Sequence, residues 1–187
     1  MSYEVKLLEN KKLADDFILN IHYAKRKPSI SFAYGLYKNK DLIGICTFGS
    51  PASPSLCKGI AGEKNRSKVI ELNRLVLKYN KKNEASYLVG KSLKLLPKPK
   101  IVVSYADTAQ NHIGIVYQAT NFYFTGTTKP RTDMASKDGK HSRHNLGDRT
   151  KRVYRSAKHR YVYISANKKD KKILLKELNY PIMNYPK

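Results

Sequence analysis

The chain has 187 residues, 41% of them hydrophobic, which is enough for one buried core. Its 37 Lys and Arg against 14 Asp and Glu leave a formal net charge of +23 and a pI near 10.0, which disfavours a basic protein as substrate and points to a polyanion. No apolar run approaches the roughly 18 residues of a membrane span, and Cys46 and Cys57, without Cys-x-x-Cys spacing, suggest neither a disulfide framework nor a zinc site.

Tyr3 to Leu8 alternates apolar and polar residues as a short strand does, and Asn10 then stands where a helix needs a cap. The helix predicted from it runs through about Lys25, with Leu13, Phe17, Ile21 and Ala24 on one face, and ends in the basic cluster Lys25-Arg26-Lys27-Pro28. Ser31 to Tyr37 and Leu42 to Phe48 are rich in aromatic and branched residues and are joined by Lys38-Asn39-Lys40-Asp41, so they predict an antiparallel hairpin. Gly49 to Ser67 mixes Gly, Pro, Ser and Lys without periodicity and reads as a surface loop able to lie over a ligand. Val69 to Leu77 predicts a strand. Asn83 predicts the cap of a helix to Leu96, with Ala85, Leu88, Val89, Ser92 and Leu96 inward and Pro97 and Pro99 stopping it.

Ile101 to Tyr105 is a strand that runs from apolar residues into Ser104-Tyr105-Ala106-Asp107, followed by a short helix over His112 to Thr120 and a strand over Phe122 to Thr125. Strand ends of this kind, leading into helix starts whose N–H groups are unpaired, are where open α/β folds place ligands. Thr128 to Arg160 is different: it carries 11 Lys and Arg against 3 Asp and few branched aliphatics, so it cannot build a core and predicts a basic insertion. Tyr161 to Ser165 resumes as a strand, and Asp170 to Leu178 predicts a terminal helix or turn. This order predicts a single α/β (α+β) domain over 1–187 with a mixed, mostly antiparallel central sheet flanked by helices. It resembles the plan of the GNAT acyltransferases, in which two central strands splay apart and acyl-CoA lies in the notch.

Four groups of residues can converge on one site: His22-Tyr23, Glu71-Leu72-Asn73-Arg74-Leu75, Asp107 and Tyr117. With Ser104-Tyr105-Ala106-Asp107, His112-Ile113-Gly114-Ile115-Val116-Tyr117-Gln118-Ala119 and Lys158-His159-Arg160-Tyr161, they make the chain resemble the Mom proteins of bacteriophages. Those are GNAT-like enzymes that modify adenine in phage DNA and so blunt host restriction. The matching segments lie between residues 22 and 161, and Asp107 to Tyr117 is the most specific of them. The resemblance places functional residues at His22, Tyr23, Arg74, Asp107 and Tyr117. It implies acetyl-CoA or a related acyl-CoA as cofactor and the host cytoplasm as location, in keeping with the reducing cytosol expected from Met1-Ser2-Tyr3-Glu4, which carries no secretory pattern.

Elementary chemistry offers each residue a role and a plainer alternative. Arg74, mid-strand, is too costly to bury without an anion, so Asp107, Glu71 or a phosphate is expected to meet it, whether for function or as a structural ion pair. Asp107 can accept a proton from an amine or orient a base, or it can simply cap the helix after it. Tyr117, whose phenol has an ordinary pKa near 10, can return a proton to a departing thiolate, or it can pack in the core. His22 and Tyr23 can bind a metal or stack on a base, though no two-His-one-carboxylate spacing stands out and the metal question stays open. His112 can help hold an anion at a helix start.

The phosphate loop departs from the GNAT pattern, because Lys81-Lys82-Asn83-Glu84-Ala85-Ser86 stands where those enzymes carry Gln or Arg and two glycines. Lys81, Lys82, Asn83, Ala85 and Ser86 are the expected cofactor-binding set, through backbone amides at the helix start. In the basic insertion Arg131, Arg143, Arg149, Arg152, Arg155, Lys158 and Arg160 are expected on phosphates of double-stranded DNA, with Tyr154 and Tyr161 available for stacking and His141 and His144 for a metal. The function expected is transfer of an acyl-derived, carbamoylmethyl-type group to the exocyclic amine of a flipped adenine. Acetylation of an already hypermodified base and a non-catalytic DNA-binding module are the alternatives. No membrane partner is expected; the oligomeric state is open, a homodimer being one form.

Overall fold

The structure is a computed structural model that describes residues 3–22, 27–134 and 152–187. Its elements in chain order are β1 (Tyr3–Leu7), α1 (Lys11–Ile21), β2 (Phe32–Lys38), β3 (Asp41–Gly49), α2 (Pro54–Asn65), β4 (Val69–Leu77), α3 (Glu84–Leu95), β5 (Lys100–Asp107), α4 (Ile115–Ala119), β6 (Tyr123–Thr127), β7 (Arg131–Met134), β8 (Arg152–Arg155), β9 (Lys158–Ser165) and α5 (Lys168–Lys176). Seven strands make one sheet in the order β1-β2-β3-β4-β5-β9-β6, and every pairing in it is antiparallel except β4 with β5. The hairpin predicted at Lys38 to Asp41 forms with those two residues paired, and both Asn39 (φ 50°) and Lys40 (φ 73°) are left-handed, as a two-residue turn matched to strand twist requires.

Alternation along the strands sorts side chains to two faces. Tyr34, Cys46, Phe48 and Val102 meet Leu88, Val89 and Leu93 of α3 on one face. On the other, Ile101, Val103, Val162 and Ile164 meet Ile60 and Ala61 of α2 and Leu174 of α5, while Ala33, Ile45 and Val76 receive Ala14 and Ile18 of α1. The expected mixed, mostly antiparallel sheet flanked by helices is the fold observed.

Some local expectations are corrected. Gly49 to Ser67 is not a loop: Pro54–Asn65 is helical, with Ser53 accepting from the N–H of Leu56 at 3.2 Å, Pro54 in the first turn, and Ile60 and Ala61 buried. The break that hid it is Gly62, whose φ of 70° kinks the helix. The inward face of α1 is Ala14 and Ile18 with Phe17 packed beside them, whereas Leu13 and Ile21 are exposed. The helix predicted from His112 begins at Ile115, and a 3-10 turn over Thr108–Gln110 precedes it. The basic insertion is shorter than expected, because Lys158 to Arg160 belong to β9 of the central sheet, and Arg131–Met134 and Arg152–Arg155 pair into a two-stranded ribbon.

One irregularity positions the site. β4 and β5 pair only through Val69 with Ile101, Ile70 with Val102 and Glu71 with Val103. Beyond Glu71, β4 stays with β3 as far as Leu77, and beyond Val103, β5 stays with β9 as far as Asp107. The strands therefore splay, with the Ser104 hydroxyl donating to the Leu72 carbonyl at 2.9 Å just past the fork.

Candidate active site in the notch between the central strands

The splay opens into a cleft of about 890 Å³, at the upper end of the usual range for ligand pockets. β4 supplies Glu71 and Arg74, β5 supplies Tyr105 and Asp107, the segment after β5 supplies His112, Gly114 and Tyr117, and the end of α1 supplies His22. Ala52 and Leu56 wall one side, so the α2 region does lie against the site, as a helix. Arg131, Asp133 and Arg155 of the ribbon close another side with Lys129, Ser156 and Lys158. The structure thus brings His22, Arg74, Asp107 and Tyr117 together with three of the expected phosphate-binding residues. Tyr23, Arg143, Arg149, His141 and His144 lie outside the described residues.

His22 caps the C-terminus of α1 through its own N–H to the Ile18 carbonyl. Burial, and then the charge of Arg74, push its pKa from 6.5 down to about 4, so the imidazole is neutral at physiological pH. Arg74 donates from Nη1 to the Asn73 carbonyl at 2.6 Å. Tyr105 is a phenol held firmly protonated, because burial and then the nearby Glu71 raise its pKa well above the ordinary value.

Asp107 caps the 3-10 turn after it, the plainer of its two expected parts. Its Oδ1 accepts from the Ala109 N–H at 3.0 Å, the cap of the 3-10 turn, and also from the Ser156 hydroxyl, while Oδ2 receives Lys158 Nζ at 2.7 Å. Burial alone would raise the carboxyl pKa, but the bonds from Lys158, Ser156 and Ala109 and the Lys158 charge together hold it below the ordinary value. A carboxylate so engaged is a poor proton acceptor at neutral pH and a good bracket. It fixes both Ser156, next to the end of β8, and Lys158, the start of β9.

Tyr117 lines the cleft with its ring packed on Phe122 and Tyr161, at centroid distances of 5.4 and 5.2 Å. Gly114 ahead of it has a φ of 76°, and a Cβ there would meet the Tyr161 ring at 2.4 Å, so the backbone of this wall lies on an aromatic floor that only glycine permits.

Two expected DNA contacts are corrected. Arg160 is 9% exposed: its Nε donates to Thr125 Oγ1 at 3.0 Å, its Nη2 to the Thr125 carbonyl at 2.6 Å, and its guanidinium lies 3.4 Å from the Tyr180 ring centroid. Tyr161 is fully buried, with its hydroxyl on the Ile113 carbonyl, so it stacks on no ligand. As neighbours on β9 they point to opposite faces of the sheet, and both faces are covered there, Tyr161 by Phe124 and Tyr117 and Arg160 by Tyr180. Lys158 is held by Asp107, and Arg152 is exposed on the ribbon.

The expected phosphate loop lies beside a second cavity of about 360 Å³, lined by Asn83, Ser86, Tyr87 and Gly90 near the start of α3 and by Ala119, Thr120 and Asn121 after α4. Asn83 does not cap α3 with its side chain. Instead Asn80 (φ 47°) and Asn83 (φ 67°) supply the left-handed turns that glycines would supply. Buried Glu84 holds the loop from within, accepting the Lys81 N–H and the Tyr3 hydroxyl, each at 2.9 Å. Lys81 and Lys82 are exposed. Among the described residues no group of three or more His, Cys, Asp and Glu is arranged to hold a metal ion, and no helix is long and apolar enough to cross a membrane.

A splayed parallel pair in a mostly antiparallel sheet, with a helix start beside it, is the architecture of GNAT acetyltransferases. An acetyltransferase of the GNAT family from Bacillus cereus aligns with a TM-score of 0.51 at 11% identity, covering 88% of this chain and 98% of that one. Arabidopsis thaliana NAA60, solved in complex with acetyl-CoA, aligns with a TM-score of 0.54 at 11% identity, covering 87% and 98%. At such identities the likeness is one of fold. The sequence narrows it further: a model of the Mom protein family matches residues 2–187, and the chain belongs to that family. The methylcarbamoylase Mom of Escherichia phage Mu is 31% identical over 121 residues, 62% of this chain and 50% of that protein, so the chain spans about half the length of the curated relative it matches.

Proposed function

We propose that this protein is a phage-type DNA-modifying transferase that places an acyl-derived group, the precursor of a carbamoylmethyl-type product, on the exocyclic amine of adenine, with an acyl-CoA as the source of the acyl carbons. The observation that carries the reading is the cleft at the β4–β5 fork, where neutral His22, Arg74 and Tyr117 face a wall of ribbon arginines. Membership of the Mom family and the name of the phage Mu relative favour this chemistry over acetylation of a protein amine. So does the net charge of +23, which attracts nucleic acid and repels basic proteins.

The residues present fit an acyl-CoA. The notch leaves β4 and β5 backbone free of each other beyond Glu71, and the left-handed Asn80 and Asn83 remove the objection raised by a loop without glycine. The first-turn amides of α3, a helix of 12 residues, with Asn83 and Ser86 beside the second cavity, would hold its phosphates. The cofactor would supply an acyl carbon and a leaving thiolate, so that the amine nitrogen gains an N–C bond and gives up a proton as the C–S bond breaks; the carboxamide nitrogen of a carbamoylmethyl-type product would have to come from a second, nitrogen-supplying reaction.

The protein's own groups then divide the work. His22, neutral at pH 7 and with a midpoint near 4 too weak a base to take a proton outright, would orient the amine by hydrogen bonding without adding charge to an already cationic cleft. Arg74 orients and neutralises an anionic part of the substrate, and Tyr117 is the donor that can protonate a departing sulfur. Asp107 keeps Lys158 and the root of the ribbon in place.

DNA from cells expressing the protein is expected to resist a restriction endonuclease whose recognition site contains adenine, and to lose that resistance with Arg74→Gln or Tyr117→Phe. Cleavage equal to that of DNA from cells without the protein contradicts the proposal.

A further inference from the structure

The ribbon of β7 and β8 carries an arrangement that general basicity does not require. Arg131 and Arg155 are direct cross-strand partners, and Asp133 stands two residues along on the same face, all three lining the cleft. The next pair, Thr132 with Tyr154, belongs to the opposite face, where Tyr154 is 68% exposed. Asp133 binds both arginines: Oδ1 is 3.3 Å from Arg131 Nε, and Oδ2 is 3.4 Å from Arg155 Nε. Its side chain is 21% exposed, against 66% and 39% for the arginines. Both guanidiniums therefore turn their Nε edge to one carboxylate. Arg131 adds only a long contact of 3.5 Å from Nη2. Asp133 thus engages the Nε edge of each guanidinium, with Nη2 of Arg131 included, and Nη1 of Arg131 and the Nη groups of Arg155 are the donors suited to the oxygens of a phosphodiester.

We propose that Arg131, Asp133 and Arg155 form a phosphodiester clamp on the DNA backbone at the mouth of the cleft, in which Asp133 is a positioning residue and the two arginines make the contact. The inference rests on the proposed function, since it takes the partner to be DNA. The clamp is rooted in the site itself: Ser156, the residue after Arg155, donates to Asp107, and Lys158 pairs with it. A phosphate gripped by the ribbon is thereby referenced to the end of β5, where an extruded nucleotide would have to enter.

The discriminating test uses the sign of a charge effect. If Asp133 merely sits in a basic surface, removing its negative charge strengthens binding to DNA. If it positions the arginines, Asp133→Ala weakens binding despite the gain in net positive charge, by about 3- to 10-fold, and Asp133→Asn, which keeps one acceptor oxygen, recovers part of the loss. Arg131→Ala and Arg155→Ala each lower the slope of log affinity against log salt by about 0.9. Arg155→Ala combined with Asp133→Ala is no worse than Arg155→Ala with Asp133 intact by the full single-variant factor, because the effects share one mechanism.

The measurement is affinity for a mixed-sequence duplex of about 20 base pairs over a series of KCl concentrations, on the full-length protein, with circular dichroism to confirm that each variant is folded. Tighter or unchanged binding by Asp133→Ala, with the wild-type protein binding normally, overturns the clamp alone. A wild-type protein that does not bind duplex DNA at all overturns the proposed function and the clamp with it. Should Asp133→Ala fail to fold, the salt slope of Arg155→Ala decides: a slope equal to that of the wild type overturns the clamp.

Discussion

Charge and proton position at single residues decide what the cleft can do. His22 is neutral because it is half-buried and faces Arg74, and burial is the larger cause. Replacing Arg74 by Gln is therefore expected to raise the His22 midpoint only part of the way from about 4 toward 6.5, as read from its imidazole resonances by NMR. A return to the full unperturbed value would mean that the Arg74 charge, and not burial, is dominant. Asp107 titrates in the opposite sense. Its pKa in the fold lies below its value in the unfolded chain, so its contribution to stability is present above about pH 3.9 and is lost as pH falls through the folded value. Asp107→Asn, which keeps a cap for Ala109 but loses the charge facing Lys158, is expected to be less stable than wild type at pH 7, with the gap closing as pH falls below the ordinary carboxylate range in denaturant titrations. His22, Arg74, Asp107 and Tyr117 were nameable from sequence because the segments that hold them carry the resemblance to the Mom family. Asp133 was not: in a basic stretch it reads only as one acid among many cations, and its position between two arginines exists only once the ribbon pairs.

At the scale of elements, the loop ahead of α3 shows where a sequence pattern misleads. The absence of glycine suggests a poor phosphate loop, yet the turn depends on left-handed backbone, and asparagine tolerates that conformation better than other residues with a Cβ. Asn83→Gly is expected to leave thermal stability near wild type, whereas Asn83→Val, branched at Cβ, should cost about 1–2 kcal/mol and shift the melting temperature down accordingly. Equal melting temperatures for both variants would show that the left-handed turn is not required. The strands and α3 were legible because their apolar residues recur with clear periods over runs long enough to read. α2 was hidden because Gly59 and Gly62 interrupt its apolar pattern, and burial of Ile60 and Ala61 against the sheet outweighs the weak local propensity. Arg160 and Tyr161 misled for a related reason: a basic neighbourhood suggested the surface, while β9 lies inside the sheet with both of its faces covered.

For the whole molecule, charge and topology converge on one side of the fold. Five cations, Arg74, Lys129, Arg131, Arg155 and Lys158, line the cleft against three carboxylates, and two of those, Asp107 and Asp133, are already held by cations. What remains is a positive, water-accessible notch beside a helix start, on a fold that handles acyl donors in its structural neighbours. The most direct measurement is mass spectrometry of nucleosides released from the DNA of cells that express the protein. A deoxyadenosine carrying the added mass of a carbamoylmethyl-type group is expected with the wild-type protein and is expected to be missing with Tyr117→Phe. Unmodified deoxyadenosine alone, in cells where the folded wild-type protein is abundant, would contradict the proposed function.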